Sequence, residues 1–297
     1  MEKEQILGMP KKYFYGVCIV LVIGIIIGSF YDYNISVSLS NETYIGHLIQ
    51  NYGNILSYCL YAIAGICIFK GIRKKGKRYY LLAKGVLVFS WFWTLYSFLE
   101  NSGKHLRENY GYIPGETSLF PLVLTALTWL AVIALVSFIA YKIIDDEKAN
   151  QLIAIGSVIL IAGVYSEHLN ELLKDIGNRP RYKYLITLDN PISEFKNWWE
   201  ITPFLKNDDL FMSWPSGHMT KATIMLVLPL FANVLKYKNK YLKYIFFAFA
   251  CIWVILIGYN RIHMNAHFLT DVCFGVLITY LILKLSIVPL PEATIVE

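Results

Sequence analysis

The fold class that the sequence predicts is an all-α polytopic membrane protein, and three observations predict it. Of the 297 residues, 56% are hydrophobic and only 16% are charged, and the mean hydropathy is +0.48, too apolar for an ordinary soluble domain. About eight apolar stretches recur along the chain, each long enough to cross about 30 Å of hydrocarbon as a helix. The basic residues gather in alternate connections between those stretches, the bias expected of membrane topology.

The stretches are Tyr13–Phe30, Asn54–Gly71, Tyr79–Leu99, Leu119–Tyr141, Gln151–Leu172, Met219–Leu235, Tyr241–Gly258 and Phe268–Val288. The first reads as a retained helix rather than a signal peptide, because no small-residue cleavage site follows Phe30. The sixth is the shortest. Cys18, Cys59, Cys67, Cys251 and Cys273 all lie inside apolar spans, where a thiol behaves as a small hydrophobe, so neither a disulfide framework nor a metal site is implied.

With the N-terminus inside, sixteen of the 27 basic residues fall in cytoplasmic segments. The richest of these is Lys70 to Arg78, and the first outside loop, Tyr31–Gly53, has none. N-in and C-in is the orientation this favours. The net charge of +6 therefore follows the membrane and implies no nucleic acid. Lys84 and Lys221 near span ends can snorkel to the interface. The longest outside segment, Lys174–Trp214, carries a Trp-rich stretch from Pro191 to Pro203 that reads equally as an interfacial helix or a surface loop. No repeat or long linker divides the chain.

Three patches fall on the same outer side: Lys174-Asp-Ile-Gly-Asn-Arg-Pro-Arg181, Pro215-Ser-Gly-His218, and Arg261-Ile-His-Met-Asn-Ala-His267-Phe-Leu-Thr-Asp271. The first ends the fifth span, the second begins the sixth and the third joins the seventh to the eighth, so three span ends can surround one pocket. On a helix, His267 and Asp271 share a face, and the carboxylate can hydrogen-bond one imidazole nitrogen and leave the other free as a nucleophile. His218, after Ser216 and Gly217, opens a helix whose N–H groups can meet phosphate oxygens. Lys174, Arg179, Arg181 and Arg261 supply positive charge where phosphoryl transfer develops negative charge. Glu171 can pair with Lys174 at i,i+3. His168 and His263 read as structural.

In order and on one side, these patches nearly reproduce K-x6-R-P, P-S-G-H and S-R-x5-H-x3-D, and so the chain resembles the type 2 phosphatidic acid phosphatase superfamily in its integral-membrane branch. Tyr182 replaces a usual proline and Asn260 a usual serine. The resemblance covers about Leu119 to Val288. It implies a six-helix phosphatase core over residues 79–297 with a two-helix extension, residues 1–78, that has no assigned task. It also implies phosphate binding by Lys174, Arg181, Ser216, Gly217 and Arg261, an acid in His218, a nucleophile in His267 with Asp271 as its partner, and Arg179 as a secondary contact.

The implied activity is metal- and cofactor-independent hydrolysis of a phosphoester through a phosphohistidine, at the outer face of what reads as a bacterial plasma membrane. Phosphatidic acid, phosphatidylglycerol phosphate, an isoprenoid diphosphate such as undecaprenyl diphosphate, and a sugar phosphate all remain open as substrates, as does a phosphotransferase using the same residues. The partners expected are a lipid phosphate and bilayer lipids. From a different class, a non-catalytic anion or lipid transporter fits eight spans and outward basic residues, but not the set of His218, His267 and Asp271.

Overall fold

The computed structural model describes residues 5–110, 119–201, 209–237 and 239–287, with side chains described for all of these except 101–110 and 119–125. Among the basic residues that set the topology, Lys3, Lys206 and Lys238 lie outside the described residues, as does Pro203, and the side chains of Lys104 and Arg107 are not among those described. The helices are α1 (Lys11–Leu39), α2 (Tyr44–Tyr52), α3 (Ile55–Lys74), α4 (Tyr80–Tyr110), α5 (Leu119–Ile143), α6 (Ala149–Gly177), α7 (Tyr182–Leu185), α8 (Gly217–Thr223), α9 (Leu242–His263) and α10 (Leu269–Ile287). Seven described helical segments are long and apolar enough to span a membrane, and the chain is an all-α polytopic membrane protein.

The sixth expected span, Met219–Leu235, departs from a regular α-helix. The seven residues of α8 run into a 3-10 stretch, Ile224–Asn233, with Pro229 inside it. Proline removes an N–H and clashes with the preceding turn, so the tighter winding takes over. At roughly 1.5 Å and 2.0 Å of rise per residue, the two pieces still reach about 30 Å. The segment Tyr31–Gly53, expected as an outside loop, is largely helical, since α1 continues to Leu39 and α2 fills most of the remainder. The Trp-rich segment is a 3-10 turn at Pro191–Glu194 within irregular chain, so the loop alternative holds over its described part.

Packing is inside-out relative to a soluble bundle. In α1, Ile19, Val20, Ile23, Ile26 and Phe30 are exposed, whereas the buried residues are Phe14, Gly28, Asp32 and Ser36. Lipid solvates the apolar face and the polar groups must find partners inside. At the centre, α3 lies between α4 and α6. Close approach there depends on small residues: a methyl on Gly156 would meet the Ala64 carbonyl at 2.6 Å, and one on Gly163 would meet the Tyr61 ring at 2.4 Å.

At one end of the bundle α1, α6 and α9 finish while α8 and α10 begin. The end of α6 is set by Asn178, left-handed at φ 42, with Pro180 two residues later. That stop turns Arg179 and Arg181 back toward the bundle.

Candidate active site

Backbone hydrogen bonds tie the three patches together at this end. The Ser213 N–H donates to the Arg179 carbonyl (3.0 Å), the Ser216 N–H to the Asp271 carbonyl (3.0 Å), and the His267 N–H to the Arg261 carbonyl (3.2 Å). Gly275 permits the second contact, because a methyl there would sit 2.6 Å from the Ser216 carbonyl oxygen. The residues that the sequence analysis placed at three separate span ends therefore form one cluster.

His267 is 2% exposed and precedes α10 rather than lying in it. Its Nδ1–H donates to the Ser213 carbonyl at 2.6 Å, whereas Asp271 Oδ2 is 3.9 Å away, too far for a hydrogen bond. The direct bond expected from i,i+4 spacing on a helix is absent because the helix starts after His267. Asp271 acts one step removed: its Oδ2 accepts from the Phe268 N–H at 2.8 Å and from Ser213 Oγ–H at 2.6 Å. The carboxylate thus fastens both the start of α10 and the residue whose carbonyl orients the imidazole. Burial, and then the positive charges of Arg181, Arg261 and Lys174, hold the His267 imidazole well below its usual pKa. It is neutral at pH 7, with Nε2 carrying the lone pair.

Those three cations come from different elements. Lys174 forms the expected pair with Glu171 at 2.7 Å, and its Nζ would lie 3.2 Å from a methyl built on Gly217. Arg181 donates from Nη2 to Asp209 Oδ1 at 2.9 Å, and Arg261 is 2% exposed. Arg181 Nε and Ser216 Oγ are buried without a hydrogen-bond partner among the described residues, two groups of the kind an anion would satisfy. His218 Nε2–H donates to the Gln50 carbonyl of α2 at 3.2 Å.

Arg179, expected as a secondary phosphate contact, is committed elsewhere. It donates from Nε to the Lys196 carbonyl (2.8 Å), from Nη1 to Thr270 Oγ1 (2.8 Å) and Asp271 Oδ1 (2.6 Å), and from Nη2 to Asp32 Oδ2 (3.0 Å). Its guanidinium also lies over the Phe268 ring at 4.3 Å. His263 Nδ1–H donates to the Leu39 carbonyl and His168 Nδ1–H to the Val164 carbonyl of its own helix. Among the described residues, no group of three or more His, Cys, Asp or Glu side chains converges as a metal ligand set.

The PAP2 superfamily model matches residues 151–293, from the first turn of α6 through α10, the stretch that holds all three patches. That segment belongs to the PAP2 superfamily. Members of the superfamily are phosphatases, and a membrane phosphatase is what the fold and the family together fit. Neither the curated proteins nor the solved structures yield a significant match. Within the PAP2 segment the site lacks three of its contacts, because Asp32 and Leu39 come from α1 and Gln50 from α2. Sequence reasoning missed Ser213, Thr270, Asp32 and Gln50. The one signal for Asp32 is an acidic residue four positions beyond Gly24-Ile-Ile-Ile-Gly28, a small-residue face for helix packing.

Proposed function

We propose that this protein is a membrane phosphatase that hydrolyses a lipid phosphate or an isoprenoid diphosphate at the outer membrane face, through a phosphohistidine on His267. The observation that carries this reading is the neutral, oriented imidazole of His267 among Lys174, Arg181 and Arg261. Nε2 attacks phosphorus as the P–O bond to the leaving group breaks, and His218 protonates the departing oxygen. Water then attacks the phosphohistidine, gives its proton to His218, and the P–N bond breaks to release phosphate. Lys174, Arg181, Arg261, Ser216 and the Gly217 backbone hold the transferring group and offset its charge. Asp271 serves the nucleophile through Ser213.

A lipid substrate is supported by the site's position at the end of an apolar bundle, beside a tryptophan cluster. Trp198 donates from Nε1 to Ser29 Oγ at 3.0 Å, stacks on Trp214 and meets the Phe274 ring at a tilt, and tryptophans are amphipathic aromatics that favour a membrane interface. A headgroup can enter there while its chains stay in hydrocarbon. The orientation with Lys70 to Arg78 inside puts this end outside.

The test is phosphate release in detergent from phosphatidic acid, an isoprenyl diphosphate and glucose 6-phosphate, with and without chelator. Activity on the lipid substrates that survives chelation and disappears in His267→Ala is the expected result. His218→Ala should lose about 10²–10⁴-fold, the usual contribution of a general acid. Undiminished hydrolysis by His267→Ala would falsify the mechanism, and hydrolysis confined to the sugar phosphate would reassign the substrate.

A further inference from the structure

We infer that Asp32, in the N-terminal helix α1, is a positioning residue for the nucleophile, so that a helix outside the family segment completes the catalytic end of the molecule. The inference rests on the reading of His267 given above.

Asp32 is 2% exposed and lies 21 residues into α1 from Lys11, about 32 Å along a helix, which brings it across the bundle to the level of the site. It arrives there because α1 packs its small face on α10. A methyl on Gly24 would meet Cys273 Sγ at 2.7 Å, and one on Gly28 would meet Thr270 Cγ2 at 2.7 Å and Thr270 N at 3.1 Å. One turn after Gly28, the carboxylate reaches the first turn of α10.

Each of its contacts is to a group that already serves the site. Oδ1 accepts from the Thr270 N–H at 3.1 Å, one of the first-turn donors of α10 that no helical carbonyl can satisfy. Oδ2 accepts from Arg179 Nη2 at 3.0 Å and from Thr270 Oγ1–H. Arg179 holds Asp271 through Nη1, Asp271 holds Ser213, and the Ser213 carbonyl holds His267 Nδ1. The chain from α1 to the imidazole is continuous and buried, and every link in it is a hydrogen bond. Asp32 itself touches none of Lys174, Arg181, Arg261 or His218 in these contacts. It therefore fixes where the nucleophile stands and leaves substrate binding to others.

The experiment measures steady-state kinetics of Asp32→Asn, Asp32→Glu and His267→Ala on the panel member that the parent turns over fastest. For Asp32→Asn, kcat should fall on the order of 10–100-fold, the scale of a slightly misplaced reacting group, with KM within about twofold of the parent and part of kcat restored in Asp32→Glu. Folding is checked by size exclusion in detergent. If Asp32→Asn does not fold, Thr270→Ala, which removes the hydroxyl joining Asp32 to Arg179 and no charge, carries the same expectation, with Thr270→Ser as its rescue. A folded variant with kcat within twofold of the parent, or with its whole loss in KM, overturns the inference alone provided that His267→Ala is dead. An active His267→Ala, or a parent inactive on the whole panel, overturns the reading and this inference together.

Discussion

At the site end of the bundle Arg179 lies between Asp32 and Asp271 with side chains 1%, 1% and 0% exposed, whereas at the opposite end Arg73 and Lys74 share Asp146 in the open, Arg73 39% and Asp146 30% exposed. Both are ion pairs by distance. They differ in what water does for them. The exposed trio is screened and loses side-chain freedom for little gain, while the buried one must satisfy each charge with a fixed partner because no solvent can replace it. Lys70 occupies a middle position, donating to the Tyr141 and Ile144 carbonyls at 2.9 and 2.6 Å and so closing the end of α5. From this contrast the exposed end should tolerate substitution and the buried end should not.

Four substitutions test that contrast, taken from the largest effect to the smallest. Arg179→Met leaves two buried carboxylates facing each other and should cost about 3–5 kcal/mol, read as a lowered unfolding midpoint in detergent; a loss under about 1 kcal/mol would break the comparison. Gly275→Ala drives a methyl against the Ser216 carbonyl and the Met219 side chain, so a stability loss of about 1–3 kcal/mol from overpacking should accompany reduced phosphate release.

The third concerns pH. The folded His267 imidazole has a pKa held well below its ordinary value, so the unfolded chain binds more protons as pH falls. The stability it contributes is whole above about pH 6.5 and is lost below it, by about 1.4 kcal/mol per pH unit, until the folded group itself titrates. Unfolding of His267→Gln should lack that acid slope, and an identical slope in both proteins would rule out this assignment. The smallest effect is expected at the opposite end, where Arg73→Ala should change stability by about 0–1 kcal/mol and leave turnover untouched.

Much of the site was legible before the structure, for a physical reason. Lys174, Arg181, His218, Arg261, His267 and Asp271 sit beside the ends of hydrophobic runs, and the alternation of those runs across a bilayer is enough to bring the ends to one side. The geometry inside the cluster was not legible. His267 and Asp271 look like partners four residues apart on a helix, but α10 begins at Leu269, and a carbonyl from Ser213 takes the bond instead. Arg179 looks like a ligand for phosphate by its neighbours in sequence, but its guanidinium is claimed by Asp32, contributed by a helix 147 residues away. The sixth span reads as an ordinary apolar run, and Pro229 turns most of it to 3-10 helix.

Composition, the spacing of apolar runs and the side on which lysine and arginine fall are local properties, and hydrocarbon acts on them locally. They were enough to determine an all-α membrane bundle with its polar patches at common span ends. Which nitrogen of His267 is held, by what, and with help from which helix depends on contacts between residues far apart in the chain, formed only when α1 docks on α10. Tertiary structure alone decided that the N-terminal helix, which the sequence left without a task, closes the network behind the imidazole.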